Sequence, residues 1–223
     1  MTDIHAHILP DADDGSSSLE SSLAMLEREV AFGITDVVLT PHYHPRRGYA
    51  KTAAELKELF AAFAEEVAAR GIPAGLSLGQ EICYGEREDV VGMLDRGELL
   101  TMNGTNKVLL EFSVSRPPDD ISEIAYKFSL HGYKVILAHA EIYPWLDLKT
   151  IASMKAEGCF VQINGGSLLR GSAGAAKRRA KALLKDALVD WVASDIHSFR
   201  PCDWGKVREK LRKYPADFFG KIG

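Results

Sequence analysis

The chain has 223 residues, 46% hydrophobic and 26% charged, the balance of an ordinary globular protein with room for one large domain. Lys and Arg total 27 against 31 Asp and Glu, and the net charge of -4 argues against a general nucleic-acid binder. No apolar run reaches the ~18 residues of a membrane span, no secretory signal is visible in M-T-D-I-H-A-H, and Cys83, Cys159 and Cys202 are too few and too scattered for a disulfide framework, which points to the cytosol.

In chain order, seven short apolar runs alternate with longer helical patterns. The runs lie at Thr2–Ile4, Asp36–Thr40, Gly75–Glu81, Val108–Phe112, Lys134–Ala138, Phe160–Asn164 and Val189–Ala193, each the length of a buried strand. Ser17 and Glu20 have capping-box spacing and open a helix with Leu19, Leu23, Leu26 and Val30 on one face and a stop at Gly33. Thr52 and Glu55 repeat the box, with Gly71 and Pro73 as stops. Further helices are predicted over Asp120–His131, Asp147–Glu157, Ala173–Lys185 and Trp204–Tyr214. Strand–helix alternation without a linker reads as one α/β domain, residues 1–223, with a parallel sheet.

Six of the seven strands deliver a histidine or carboxylate at or just beyond the C-terminal end. These are Asp3-Ile4-His5-Ala6-His7 with Asp11, Asp13 and Asp14 following, Thr40-Pro41-His42-Tyr43-His44, Gly79-Gln80-Glu81, Leu110-Glu111-Phe112, Ala138-His139-Ala140-Glu141 and Ser194-Asp195-Ile196-His197. A barrel gathers such ends on one face, whereas an open sheet spreads them along a line, so the pattern favours a barrel. His5 and His7 are two apart in a strand and share a face, as do Asp195 and His197, so each pair can grip one ion. Imidazole plus carboxylate suits Zn, Mn or Fe. Asp11, Asp13 and Asp14 compete for one ligand role, while His131, ending a helix, and His44, in a loop, are set aside.

With D-I-H-A-H-I-L-P-D-A-D-D-G, T-P-H-Y-H, G-Q-E-I, L-L-E-F, L-A-H-A-E and A-S-D-I-H-S in order along it, the chain resembles the PHP (polymerase and histidinol phosphatase) superfamily. More narrowly, with Q-I-N-G-G-S-L-L at Gln162–Leu169, it resembles the bacterial CpsB/YwqE-type tyrosine-protein phosphatases. The resemblance implies a distorted (β/α)7 TIM-like barrel with three divalent metal ions, Mn or Fe, with Zn possible. It implies one ion on His5, His7, Glu81 and Asp195, a second on Glu81, Glu111 and His139, and a third on Asp14, His42 and His197. Arg200 and His42 are the implied catalytic groups. The family's H-P-E-R-Y reads His139-Ala140-Glu141-Ile142-Tyr143 here, so the family arginine is replaced by Ile142; Arg200 remains to hold phosphate, and Arg46 and Arg47 are candidate substitutes.

The expected reaction is phosphomonoester hydrolysis, most simply of phosphotyrosine in a protein, with an autophosphorylated bacterial tyrosine kinase of polysaccharide synthesis as the implied partner. Three divalent ions against Asp14, Glu81, Glu111 and Asp195 leave a site near +2, matched to a phosphate of about -1.5 to -2. A metal-bridging hydroxide, its pKa lowered to roughly 7, is the expected nucleophile. Three alternatives stand: a PHP phosphatase for a small ester such as histidinol phosphate, a non-catalytic metal-binding relative, and a cysteine-dependent phosphatase using Cys202 and Arg208, since Cys202–Arg208 fits C-x-x-G-x-x-R.

Overall fold

The structure is a computed structural model that describes residues 1–85, 89–169, 174–198, 200–215 and 217–222. Its strands are β1 (Thr2–Ala6), β2 (Asp36–Leu39), β3 (His42–Tyr43), β4 (Gly75–Leu78), β5 (Glu81–Cys83), β6 (Lys107–Glu111), β7 (Lys134–Leu137), β8 (Phe160–Asn164) and β9 (Trp191–Ala193). One sheet runs β1-β2-β4 and the other β3-β5-β6-β7-β8-β9, with every strand pairing parallel.

The predicted run Asp36–Thr40 forms β2, and past Thr40-Pro41, where proline has no N–H to continue a ladder, the chain resumes as the unpredicted β3. The predicted run Gly75–Glu81 is broken into β4 and the start of β5 at Gly79-Gln80, and a Cβ on Gly79 would sit 2.8 Å from Met102 Sδ. Beyond these points the two segments stay side by side, so that His42 lies in register beside Glu81, while β5 takes β6 on its other side, with Glu81 beside Leu109.

The sheets curl toward each other. Asp195 N donates to His5 O at 2.9 Å and His7 N to Ile196 O at 3.0 Å, so the segment after β9 meets β1 at its C-terminal end. At the other end, Thr2 N donates to Phe219 O and Val192 N to Phe218 O, both at 3.1 Å, and the chain terminus wedges β1 and β9 apart. Ile4, Val38, Leu109, Ile136, Ala193 and Ile222 fill the inside of the curl, beneath the polar groups at the C-terminal ends.

Around the sheets run α1 (Leu19–Ala31), α2 (Ala53–Ala69), α3 (Val90–Asp95), α4 (Ile124–Ser129), α5 (Leu148–Ala156), α6 (Gly174–Lys185) and α7 (Trp204–Leu211). The predicted box on α2 is present, Glu55 N donating to Thr52 Oγ1 and Thr52 N to Glu55 Oε2. That on α1 is not: Ser18, one residue later, caps it through Ser21 N, because Ser17 is exposed and Ser18 has the extended backbone a cap requires. Of the expected face, Leu23 and Leu26 are buried and Leu19 packs at the edge of the core, while Ser22, Met25 and Glu29 are buried beside them. Predicted helix 120–131 is cut to α4, and α3 is an element the periodicity did not announce. Ala173, the expected first residue of the helix at 174–185, and Phe199 lie outside the described residues.

Candidate metal centre

His5 and His7 enter from β1 and the residue just beyond it, fully buried, with their Nε2 atoms 3.1 Å apart. Each ring's other nitrogen faces an acceptor: His5 Nδ1 lies 3.2 Å from Gln162 Oε1, and His7 Nδ1 lies 2.6 Å from Asp13 Oδ2. With both Nδ1 atoms facing acceptors, the two Nε2 atoms are the ones left to ligate, and both point at one spot. Glu81 Oε2 is 3.3 Å from His5 Nε2 and 3.2 Å from His7 Nε2, and Asp195 Oδ1 is 3.7 and 3.6 Å from the same atoms.

The other five of the nine expected ligands adjoin this set. His139 Nε2 meets Glu81 Oε1 at 2.8 Å and Glu111 Oε2 at 4.0 Å. Asp14 Oδ1 stands 3.5 Å from His42 Nε2 and 3.6 Å from His197 Nε2. His42 Nδ1 approaches Glu81 Oε2 to 2.9 Å and Glu111 Oε1 to 3.2 Å, joining the groups.

Of the three aspartates after β1, Asp13 is already committed. Its carboxylate accepts from His7 Nδ1, from His42 N at 2.8 Å and from Gly15 N at 2.9 Å. Asp14 instead leaves Oδ1 buried without a hydrogen bond. His139 and Asp195 both adopt left-handed backbone, φ 33° and 50°, strain of a kind that collects at functional sites.

The electrostatics report a surplus of negative charge. Burial is the largest influence on His7, His42 and His139 and pulls each pKa down, yet the neighbouring carboxylates overturn it. Asp13 holds His7 up at about 10, Glu81 and Glu111 hold His42 at about 12, and Glu81 holds His139 at about 9. His197 goes down, to about 4, through burial and the positive His7 stacked on it at 4.2 Å between ring centroids.

The donors fit divalent cations. Ligand atoms of His5, His7 and Glu81, of His7, His42 and His197, and of His42, Glu81 and Glu111 lie within 4.8 Å of one another. Asp14 Oδ1 is buried without a hydrogen bond, and His42 Nδ1, Glu81 Oε2 and Glu111 Oε1 lie close together yet misaligned for hydrogen bonds, the condition expected of atoms reserved for an ion. Nitrogen and carboxylate oxygen form a borderline set suited to first-row metals.

A cleft of about 850 Å³ opens beside Glu111, lined by His44, Arg46, Arg47, Ser113 and Arg116 among others. Arg47 Nη2 reaches Asp14 Oδ2 at 3.4 Å, and Arg200 Nη1 reaches Asp195 Oδ2 at 3.3 Å, so both arginines touch the cluster's edge. Ile142 packs against the main core. Sequence reasoning set His44 aside, but a ligand atom of it lies within 4.8 Å of Cys83 and Glu111; its T-P-H-Y-H spacing from His42 was the available signal. His131 pairs with Asp95 on the surface at 2.6 Å, away from the centre.

The cysteine alternative is overturned by packing. Cys202 is 2% exposed, and burial, with Asp3 and Glu29 nearby, pushes its thiol far above the range of a thiolate nucleophile. Arg208 lies exposed along α7 rather than in a phosphate-binding loop.

Fold and cluster together define an α/β protein that keeps a buried nitrogen–oxygen ligand set at the C-terminal ends of parallel strands. The chain belongs to the CpsB/CapC family of capsular polysaccharide synthesis, whose pattern it matches over residues 1–214. It is 32% identical to the tyrosine-protein phosphatase YwqE of Bacillus subtilis over 207 residues, covering 90% of this chain and 78% of the relative. It is 31% identical to the tyrosine-protein phosphatase CpsB of Streptococcus agalactiae over 209 residues, covering 89% and 83%. Among solved structures, those of YwqE from B. subtilis and CpsB from Streptococcus pneumoniae, described as unique metal-dependent tyrosine phosphatases, superimpose with a TM-score of 0.87 at 28% identity, covering 96% of this chain and 87% of the other. An organophosphorus hydrolase from Deinococcus radiodurans, at 11% identity and a TM-score of 0.53, shares the fold over 88% of this chain and 75% of its own.

Proposed function

We propose that this chain is a metal-dependent protein-tyrosine phosphatase acting in the control of capsular or extracellular polysaccharide synthesis. The observation that carries the reading is the pair of buried imidazoles, His5 and His7, whose Nε2 atoms face each other at 3.1 Å between the carboxylates of Glu81 and Asp195. Family membership and the tyrosine phosphatase relatives support the substrate.

Three divalent ions, Mn or Fe, are assigned to His5, His7, Glu81 and Asp195, to Glu81, Glu111 and His139, and to Asp14, His42 and His197. Bound there, ions supply positive charge for the phosphoryl oxygens and lower the pKa of water for attack on phosphorus. The chain's own part is to hold the ligands rigidly, to exclude water from beneath the centre with the apolar plug, and to offer Arg200 at the rim to the phosphate. Arg46 and Arg47 line the approach and are assigned to substrate. His42, held between Glu81, Glu111 and Asp14, orders the centre. A tyrosine phenolate, with pKa about 10, leaves with little protonation, so the site requires no dedicated acid.

The fold reading that accompanies this is a distorted (β/α)7 barrel of one domain, residues 1–223. Counting each broken strand once gives seven staves, and the bonds from the segment after β9 to β1 support closure. The partner is a phosphotyrosine protein, with an autophosphorylated bacterial tyrosine kinase as the candidate, and the location is cytoplasmic. No described helix is long and apolar enough to cross a membrane, and none of the three cysteines is in a disulfide.

The test is turnover of a phosphotyrosine peptide against histidinol phosphate, with Mn or Fe added and with chelator. Peptide turnover that needs metal is expected; preference for histidinol phosphate would move the chain to the small-ester class.

A further inference from the structure

Among the strands that end at the centre, β8 is the one to which no ligand is assigned. Its inward positions alternate Phe160, Gln162 and Asn164. Phe160 packs on the apolar plug, and the two amides above it are buried, Gln162 completely and Asn164 to 8% exposure. Buried amides of this kind must find partners, and these find theirs on the ligand residues.

The hydrogen bonds form a chain of one direction. His139 N can only donate, so the Gln162 atom it meets at 2.7 Å is the oxygen, Oε1. Gln162 Nε2 then donates to Asn164 Oδ1 at 2.9 Å, and Asn164 Nδ2 donates to Asp195 Oδ2 at 2.6 Å. Because Oε1 only accepts, His5 Nδ1, 3.2 Å away, carries the proton facing it, and the lone pair of His5 is left on Nε2. The same chain ends on two residues with left-handed backbone, His139 and Asp195. Asn164 N is itself anchored at 3.1 Å by Glu141 Oε1, which also accepts from Ser167 Oγ at 2.7 Å.

We propose that Gln162 and Asn164 are positioning residues of the metal centre: they set the tautomer of His5 and hold the strained His139 and Asp195 in ligating position. Outer partners of metal ligands commonly govern affinity by 10–100-fold. The inference rests on the metal-centre reading above.

The experiment is calorimetric titration of Mn2+ into the full chain stripped with chelator, for wild type, Gln162→Leu, Gln162→Glu and Asn164→Ala, with circular dichroism confirming the fold of each. Gln162→Leu removes the acceptor and is expected to weaken the tightest Mn2+ by about 10–100-fold. Gln162→Glu keeps an acceptor facing His5 and His139 N and is expected to stay within about threefold of wild type, as in carboxylate–histidine–metal triads. A side chain that only fills space would not show that rescue. Asn164→Ala is expected to cost about tenfold, and decides the matter if Gln162→Leu does not fold. Unchanged Mn2+ affinity in Gln162→Leu or, failing that, in Asn164→Ala, or equal losses in both Gln162 variants, overturns the inference while leaving the metal centre intact. A wild type that binds no Mn2+ overturns both.

Discussion

Asp13 and Asp14 are adjacent in sequence and opposed in role: Asp13 accepts from His7 Nδ1 at 2.6 Å, while Asp14 turns an unbonded Oδ1 toward His42 and His197. Replacing Asp13 with Ala leaves the buried His7 N–H unpaired and is expected to destabilise the chelated protein by about 3 kcal/mol. Asp14→Ala removes no hydrogen bond within the cluster, only the exposed contact with Arg47 and a carboxylate oxygen 3.5 Å from His42, so the chelated protein should lose no more than about 1 kcal/mol while turnover falls. Urea unfolding in chelator, paired with turnover in Mn2+, separates the two; equal destabilisation would assign Asp14 to the fold.

The facing Nε2 atoms of His5 and His7 make metal removal a stability experiment as well as an activity one. Metal at a hundred times its dissociation constant should stabilise the fold by about 2.7 kcal/mol. Thermal melts with and without chelator check this, and melts that coincide would count against a metal at these residues.

Cys202→Ser should leave phosphotyrosine turnover at the wild-type level while costing about 1–3 kcal/mol, the penalty of a buried hydroxyl. Loss of turnover from a folded Cys202→Ser protein would restore the thiol mechanism.

Glu29 couples stability to pH from outside the centre. Burial, reinforced by the nearby Asp3, raises its carboxyl from 4.5 to about 8, against the opposing hydrogen bond from Trp204 Nε1. The folded state therefore holds a proton that the unfolded chain has lost between those values. Stability from this group is full below about pH 4.5 and declines as pH rises to about 8. Glu29→Gln should flatten that part of the pH–stability curve, measured by urea unfolding at fixed ionic strength. An unchanged slope would show that Glu29 ionises freely in the fold.

Much of this was written in local chemistry. The apolar runs marked the sheet, Thr52 and Glu55 marked a helix start, and the ends of six runs presented the histidines and carboxylates that the structure gathers. Composition and spacing suffice there because strand and helix periods act over a few residues. They did not announce β3 beyond Pro41 or the break at Gly79-Gln80, since those depend on which neighbour each short strand pairs with. Nor could they separate Asp13 from Asp14 or include His44, because three acidic or imidazole groups in one loop look alike until another strand arrives beside one of them. The amino-acid order determined which donors exist and at which strand ends they stand. Only the tertiary structure decided which oxygen is already bonded, which imidazole nitrogen is left to ligate and which amide holds it there, because partners such as His5 and Gln162, 157 residues apart, meet only when the sheet curls.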